Sequence, residues 1–358
     1  MDKYEGITLH QIAPYLGKVR PSLARELVLA YSKPSEWVWD PFCGSGTIPY
    51  ECRLLSRHAL AGDINPYACA VTRAKMHAPA SLGTALRGLH DASLALRRGS
   101  KQAYPKVPAW VGEFFHKRTL REALYLSRYF AASRQHFNLG CLLGILHHQR
   151  PGFLSYPASH LVPYLRNQHF PRDRFPEAYM YRDPVPRLAA KMTRMLECPP
   201  PPRHSHFAIW CKSVYECFPP PASVDSVITS PPYMNALDYA RDNRLRLWFI
   251  GITNYRLIES KEIRRAASFE NELLTVLKIL ARSLKPGGKC VFILGDSSRS
   301  KKRYDAAEIA CDLVANRLRQ LELCDRWSES IPNDRRSRPT GKATKRESVL
   351  IFCRSKGR

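Results

Sequence analysis

Acids are scarce in this chain, and several familiar chemical signatures are missing altogether. Asp and Glu number 31 among 358 residues, against 56 Lys and Arg, which leaves a formal net charge of +25. A surplus of that size points to a polyanionic partner, nucleic acid first. None of the eleven cysteines forms a Cys-x-x-Cys pair, and no His/Cys cluster has zinc spacing, so no metal is expected. There is no Gly-Lys-Ser/Thr loop for phosphoryl transfer and no His-x-x-x-His pair for zinc hydrolysis. Cys141, Cys290, Cys311 and Cys353 have mostly apolar neighbours, which predicts reduced, buried thiols in an intracellular protein. The longest apolar run, residues 139–146, is far too short for a bilayer, and no signal peptide is recognisable. A cytoplasmic or nucleoid-associated location without a membrane partner is the expectation.

What is present centres on residues 38–47, Val-Trp-Asp-Pro-Phe-Cys-Gly-Ser-Gly-Thr. Residues 36–39 are short, apolar and aromatic, as a buried strand is. Gly44 and Gly46 permit a sharp turn and close approach to a ligand, and the spacing from Thr47 onward predicts a helix. A second strand, residues 59–62, runs into Asp63 and Ile64, followed by Asn65-Pro66. Asp63 lies about twenty residues past the glycine loop, the distance at which a doubly wound fold sets a carboxylate on ribose hydroxyls. Downstream, residues 224–229 read as a core strand that ends in Ser230-Pro231-Pro232-Tyr233. Two prolines cannot continue a ladder, so they stiffen the strand end, where α/β sheets bind ligands.

Asp-Pro-Phe-Cys-Gly-Ser-Gly-Thr followed by Ser-Pro-Pro-Tyr resembles the amino-methyltransferases of DNA, over about residues 4–76 and 205–353. The resemblance implies an α/β fold, a doubly wound, Rossmann-like class I methyltransferase sheet, with a largely helical or irregular insertion. It implies S-adenosylmethionine as cofactor and transfer of its methyl group to an exocyclic amine of a flipped-out base. The Ser-Pro-Pro-Tyr form leans toward cytosine N4, and Asn or Asp in place of Ser would lean toward adenine N6. Carried residue by residue, it puts Tyr15, Lys18, Asp40, Pro41, Phe42, Gly44, Gly46, Thr47, Asp63, Ile64 and Ser213 on the cofactor, and Ser230, Pro231, Pro232 and Tyr233 at the reacting amine. Asp40 has a second reading, as a brace for the loop. An acid often follows the third strand of the family and meets the adenine; here the stretch reads Cys211-Lys212-Ser213-Val214, so Ser213 or backbone groups would substitute. A cytosine C5 mechanism lacks its Pro-Cys nucleophile, and Cys43 lies inside the cofactor loop.

These motifs divide the chain into a cofactor half (1–79), an insertion and target-recognition region (80–204) and a catalytic half (205–358). Periodicity predicts helices over 23–31, 67–76, 82–96, 119–132, 137–147, 269–284 and 306–321, a helix ending at Trp248, and strands over 207–211, 290–294 and 347–353. Residues 150–187 are dense in Pro, Arg, His, Tyr and Phe and read as a long irregular segment. Arg166 and Arg172 in that segment, Arg241 after the Ser-Pro-Pro-Tyr loop, and Arg336, Arg338, Lys342 and Lys345 in a basic loop are the candidate nucleic-acid contacts. DNA is the expected partner, with RNA as the alternative polymer. A cognate restriction endonuclease is a further partner the resemblance suggests, and the oligomeric state stays open. The non-enzymatic alternative is an inactive nucleic-acid-binding relative, whose one support is the altered third-strand motif.

Overall fold

The computed structural model describes residues 8–99, 106–201, 205–232, 238–259, 269–295, 297–299, 302–330 and 346–356. Its strands are β1 (Trp37–Asp40), β2 (His58–Gly62), β3 (Phe207–Trp210), β4 (Val224–Thr229), β5 (Leu284–Gly295), β6 (Ser297–Arg299), β7 (Lys302–Tyr304), β8 (Leu321–Ser330) and β9 (Arg346–Arg354). The helices of the first half are α1 (Pro21–Tyr31), α2 (Thr47–Leu54), α3 (Pro66–Met76), α4 (Leu82–Arg97), α5 (Ala109–Gly112), α6 (Lys117–Ala132) and α7 (His136–Gly144). Those of the second are α8 (Pro184–Met195), α9 (Tyr239–Asp242), α10 (Arg244–Phe249), α11 (Arg256–Glu259), α12 (Phe269–Ser283) and α13 (Ala306–Arg317). Among the described residues no helix is long and apolar enough to cross a membrane.

Seven strands form one sheet in the order β3-β2-β1-β4-β5-β9-β8, and β6 and β7 pair separately. From β3 to β5 every pairing is parallel; β9 runs antiparallel to β5 and β8 antiparallel to β9. This mixed sheet, parallel from β3 to β5, is the α/β sheet architecture that the motifs implied. Parallel strands are buried on both faces, which is why the middle of β5, residues 290–294, reads as a continuous apolar run. On one face α12 lays down Leu273, Leu277, Leu280 and Ala281 against Val227, Phe292 and Phe352. Each such Leu, taken out of water, contributes roughly 1.5–3 kcal/mol.

Two compact units divide the chain. The sheet unit comprises Leu16–Thr72, Arg203–Asp238 and Leu257–Arg358, and the helical unit comprises Met1–Tyr15, Arg73–Pro202 and Tyr239–Arg256. Within the helical unit α7 is buried nearly all round, as its composition predicted. Its glycines are places of close approach. A Cβ on Gly144 would sit 2.0 Å from the Ile12 carbonyl oxygen, and one on Gly140 would sit 2.3 Å from the Ala74 Cβ. Residues 150–183 are irregular, with one isolated bridge, Ala158 to Leu165, and a 3-10 turn, Pro176–Tyr179. They are held from inside by Arg182, whose guanidinium donates to the carbonyls of Phe153 and Ala178, both at 2.9 Å, and of Ser155.

Four expectations change. The predicted helix over 306–321 stops at Arg317, and the chain turns into β8 at the sheet edge. The helix expected to end at Trp248 is two, α9 and α10. Residues 184–195, partly assigned to the irregular segment, form α8, started by the side chain of Asp183 accepting from the Val185 N–H at 2.9 Å. Cys324 and Cys353, expected as thiols, are joined by a disulfide between β8 and β9; the other nine cysteines are free.

The close approach at α7 has a measurable consequence. Gly144→Ala should lower unfolding stability by about 1–3 kcal/mol, because the opposing atom is backbone and cannot rotate away. Gly112→Ala, where an added Cβ meets nothing within 4 Å, should leave it unchanged or raise it by about 0.4–1 kcal/mol. Urea midpoints of the two variants check this, and equal midpoints would contradict the packing at α7.

Candidate active site

Parallel neighbours place their carboxyl ends on one edge, so the order β3-β2-β1-β4 makes four loops adjacent there. The registers Asp40 to Ala61, Gly62 to Trp210 and Trp39 to Val227 fix how far each strand reaches. The glycine loop leaves β1, Asp63 leaves β2, Ser213 follows β3 and Ser230 follows β4.

The glycine loop is a closed turn. The Cys43 N–H donates to the Gly62 carbonyl at 2.8 Å and the Gly46 N–H to the Cys43 carbonyl at 2.7 Å. Gly44 and Gly46 both have left-handed backbone, at φ +49° and +72°. Gly46 is needed twice, because a Cβ there would also lie 2.6–2.9 Å from three side-chain atoms of Thr72. Thr72 on α3 presses on the loop and donates its hydroxyl to the Gly44 carbonyl at 3.1 Å. Thr47 is buried at the start of α2, Pro41 is buried and Phe42 half-buried. Cys43 is buried too, and burial beside Asp63 and Asp40 pushes its thiol well above the ordinary range, so it is no nucleophile at neutral pH.

Two carboxylates hold this edge. Asp40, 2% exposed, accepts the Thr229 hydroxyl at 2.6 Å and the Phe42 N–H at 3.3 Å on the same oxygen. That bond joins residues 189 positions apart and ties the glycine loop to the strand end that delivers Ser230 and Pro231. Burial pushes its pKa up to about 7, against the pull of those two donors and with a smaller push from Asp63. Asp63 is half-buried; one oxygen accepts the Gly44 N–H at 2.9 Å and the other the Asn65 N–H at 2.8 Å. Burial raises it to about 6, with the N–H groups of Asn65, Gly44 and Ile64 holding it down. Three N–H groups against about four lone-pair sites leave the Asp63 carboxylate room to accept a further hydrogen bond.

Ser230 and Pro232 are half-buried and Pro231 is buried. Ser213 stands in a turn, its hydroxyl accepting the Tyr215 N–H at 3.3 Å and its carbonyl the N–H groups of Glu216 and Cys217 at 3.0 Å. Lys18 is open to solvent, yet the protein packed around it lowers its ammonium pKa by desolvation. Tyr15 belongs to the helical unit, where its ring stacks on Tyr239 at 6.1 Å. In that unit Arg172 lies over the rings of Tyr179 and Tyr156 at 4.6 and 5.2 Å, Arg166 donates to the Gln149 side chain, and Arg241 is exposed beside Asp242 at 3.6 Å. Tyr233, Arg336, Arg338, Lys342 and Lys345 lie outside the described residues. Sequence reasoning missed Thr229 and Thr72. A lone threonine at a strand end or on a helix carries no motif, and only the fold shows what it touches.

Residues 18–74, from just before α1 to near the end of α3, match the DNA methylase family of N6 and N4 methyltransferases. Over 68 residues the chain is 31% identical to Type II methyltransferase M.MjaII of Methanocaldococcus jannaschii, a stretch amounting to 19% of this chain and 13% of that protein. Two solved structures align over most of the chain. TrmN of Thermus thermophilus is 11% identical with a TM-score of 0.38, covering 98% of this chain and 53% of its own. The rRNA methyltransferase aviRa of Streptomyces viridochromogenes is 14% identical with a TM-score of 0.35, covering 97% and 90%. The family match and the identity to the archaeal enzyme are similarities of a segment, and the fold rests on strand order.

Proposed function

We propose that the chain is an S-adenosylmethionine-dependent nucleic-acid methyltransferase acting on DNA, with the N4 amine of cytosine as acceptor. One observation carries this reading: the Thr229 hydroxyl on the Asp40 carboxylate, which brings the glycine loop and the Ser230-Pro231-Pro232 turn to one edge. The matched family segment contains the first of those loops.

The residues suit the cofactor. Gly44 and Gly46 give the loop two positions without a Cβ, and Asp63 keeps an acceptor site for a hydroxyl beside the N–H groups it already holds. Bound S-adenosylmethionine supplies an electrophilic methyl group on a positively charged sulfur. The chain's own part is positioning. A cytosine amine is a weak nucleophile because its lone pair is delocalised into the ring. The Ser230 hydroxyl and the Pro231 carbonyl oxygen would accept its hydrogens and hold them out of the conjugated geometry, aiming the lone pair at the methyl carbon. Charge develops on nitrogen as the bond forms, and fixed acceptors stabilise it without reorganising. Tyr233 offers a ring for the extruded base, whose unstacking costs a few kcal/mol. A partner endonuclease belongs to this proposal as a consequence of the resemblance.

Chemistry at the acceptor is tested first, and pH second. Nucleic acid incubated with enzyme and methyl donor, digested and weighed as nucleosides, should yield N4-methylcytosine in deoxyribose form. N6-methyladenine would move the acceptor base, and a methylated ribonucleoside would move the polymer. Ser230→Ala should cut turnover by about 10²–10³-fold and Tyr233→Ala, which loses a stack of about 1–3 kcal/mol, by about 5–150-fold; parent-like rates in both would sink the assigned turn.

The second outcome concerns pH. Asp40 and Asp63 hold protons up to about pH 7 and 6. A cationic ligand favours their anionic forms, pulls both pKa values down and must release protons on binding. Affinity should therefore climb as pH rises from 5 through 7 and level off above. Calorimetry in two buffers of different ionisation enthalpy counts the protons. S-adenosylhomocysteine, whose sulfur is neutral, should release fewer, and identical proton counts for the two ligands would contradict the pairing.

A further inference from the structure

One face of α6, in the helical unit, carries a row of arginines and tyrosines. Arg118, Arg121, Tyr125, Arg128 and Tyr129 recur at helical spacing along it, so they share one side. Two adjoining clefts open on that side. The larger, about 620 Å³, lies between α6, the end of α4 and residues 181–186, with Arg97, Arg118 and Arg121 in its wall. The smaller, about 330 Å³, continues past Tyr125 to Arg128 and Tyr129. Arg97 and Arg121 are exposed, and neither forms an ion pair among the described residues.

The acids in the wall are already engaged. Glu122 accepts from Arg118 at 2.8 Å and from the Tyr181 hydroxyl at 2.6 Å, while Asp183 caps α8 through the Val185 N–H. Arg118 also lies over the Tyr181 ring at 4.3 Å, so its guanidinium is held between an acid and a π face. Tyr125 and Tyr129 stack at 6.3 Å with 28° between planes and stiffen the row. From Arg118 to Tyr129 the helix rises about 16 Å, long enough for the row to span more than one phosphate of a strand.

We propose that this arginine face of α6 is a cradle for the phosphate backbone of the nucleic-acid substrate, binding it without reading its sequence. The polymer's identity rests on the function proposed above; the cradle's location does not. Nucleic acid is favoured over an acidic peptide because the cations are guanidiniums in a preset row, matched to phosphate by geometry as well as charge.

The test uses the full chain and fluorescein-labelled oligonucleotides of several unrelated sequences, in single-stranded and duplex form. Arg97→Gln with Arg121→Gln removes two exposed cations and leaves the Arg118–Glu122–Tyr181 cluster intact. Affinity should fall about tenfold for every sequence alike, and the slope of log affinity against log salt should flatten by about 1.4 for single strands or 1.8 for duplex. Cofactor affinity and the thermal transition should match the parent. A parent that binds oligonucleotides and a variant that binds them as tightly, with the same salt slope, would overturn the cradle and leave the proposed reaction standing. A parent that binds none would overturn the nucleic-acid reading itself. Displacement of the oligonucleotide by polyglutamate at equal charge concentration would replace phosphate recognition with a site for acidic protein.

Discussion

A single buried hydrogen bond, from the Thr229 hydroxyl to the Asp40 carboxylate, sets the geometry of the sheet edge. Bonds from a neutral donor to a buried charged acceptor contribute about 1.5–3 kcal/mol. Its larger effect is topological. Asp40 closes β1 and Thr229 closes β4, so the two loops that the motifs single out are anchored at neighbouring strand ends. Asp63 does the equivalent for the next pair, holding Gly44 from the end of β2. The edge is thus built from two acids that each bind a loop before any ligand arrives. Burial has lifted both toward neutrality, and Asp63 adds a smaller push on Asp40.

Asp40 has two readings, and the geometry speaks to one of them. The sequence allows a ligand contact or a brace for the loop. Its carboxylate is 2% exposed and bonded to Thr229 and Phe42, so the brace is what the geometry displays. Through the brace Asp40 still acts on whatever sits at the loop, since its charge lies next to Asp63.

How much could be read beforehand depended on where the information sits. β4 was legible to the residue, and α1, α3, α4, α6 and α12 to within two residues or so, because their apolar periodicity is set by a core they face on one side. β8 was not: Glu322 to Trp327 are exposed, and an edge strand with solvent on its sides has no alternation to display. α8 hid behind prolines, although Asp183 followed by Pro184 is an N-cap and first turn in plain form. The packing of residues 150–183 was beyond reach. Arg182 organises it by donating to main-chain carbonyls, and a carbonyl has no sequence signature.

That last point bears on the charge as a whole. An excess of 25 positive charges invites the idea of a surface coated for polyanions. Part of it is spent indoors: Arg57, Arg182 and Arg246 are at most 6% exposed. Arg57 donates to the carbonyls of Ser32 and Leu55, and Arg246 to those of Leu143, Leu161 and His160. A guanidinium has five donors and no acceptor, so backbone carbonyls at a buried turn are natural partners for it. These arginines fold irregular chain and attract nothing from outside. Net charge therefore speaks to association only through the lysines and arginines left in solvent, and α6 shows how a helix and a neighbouring ring can set such arginines in a row.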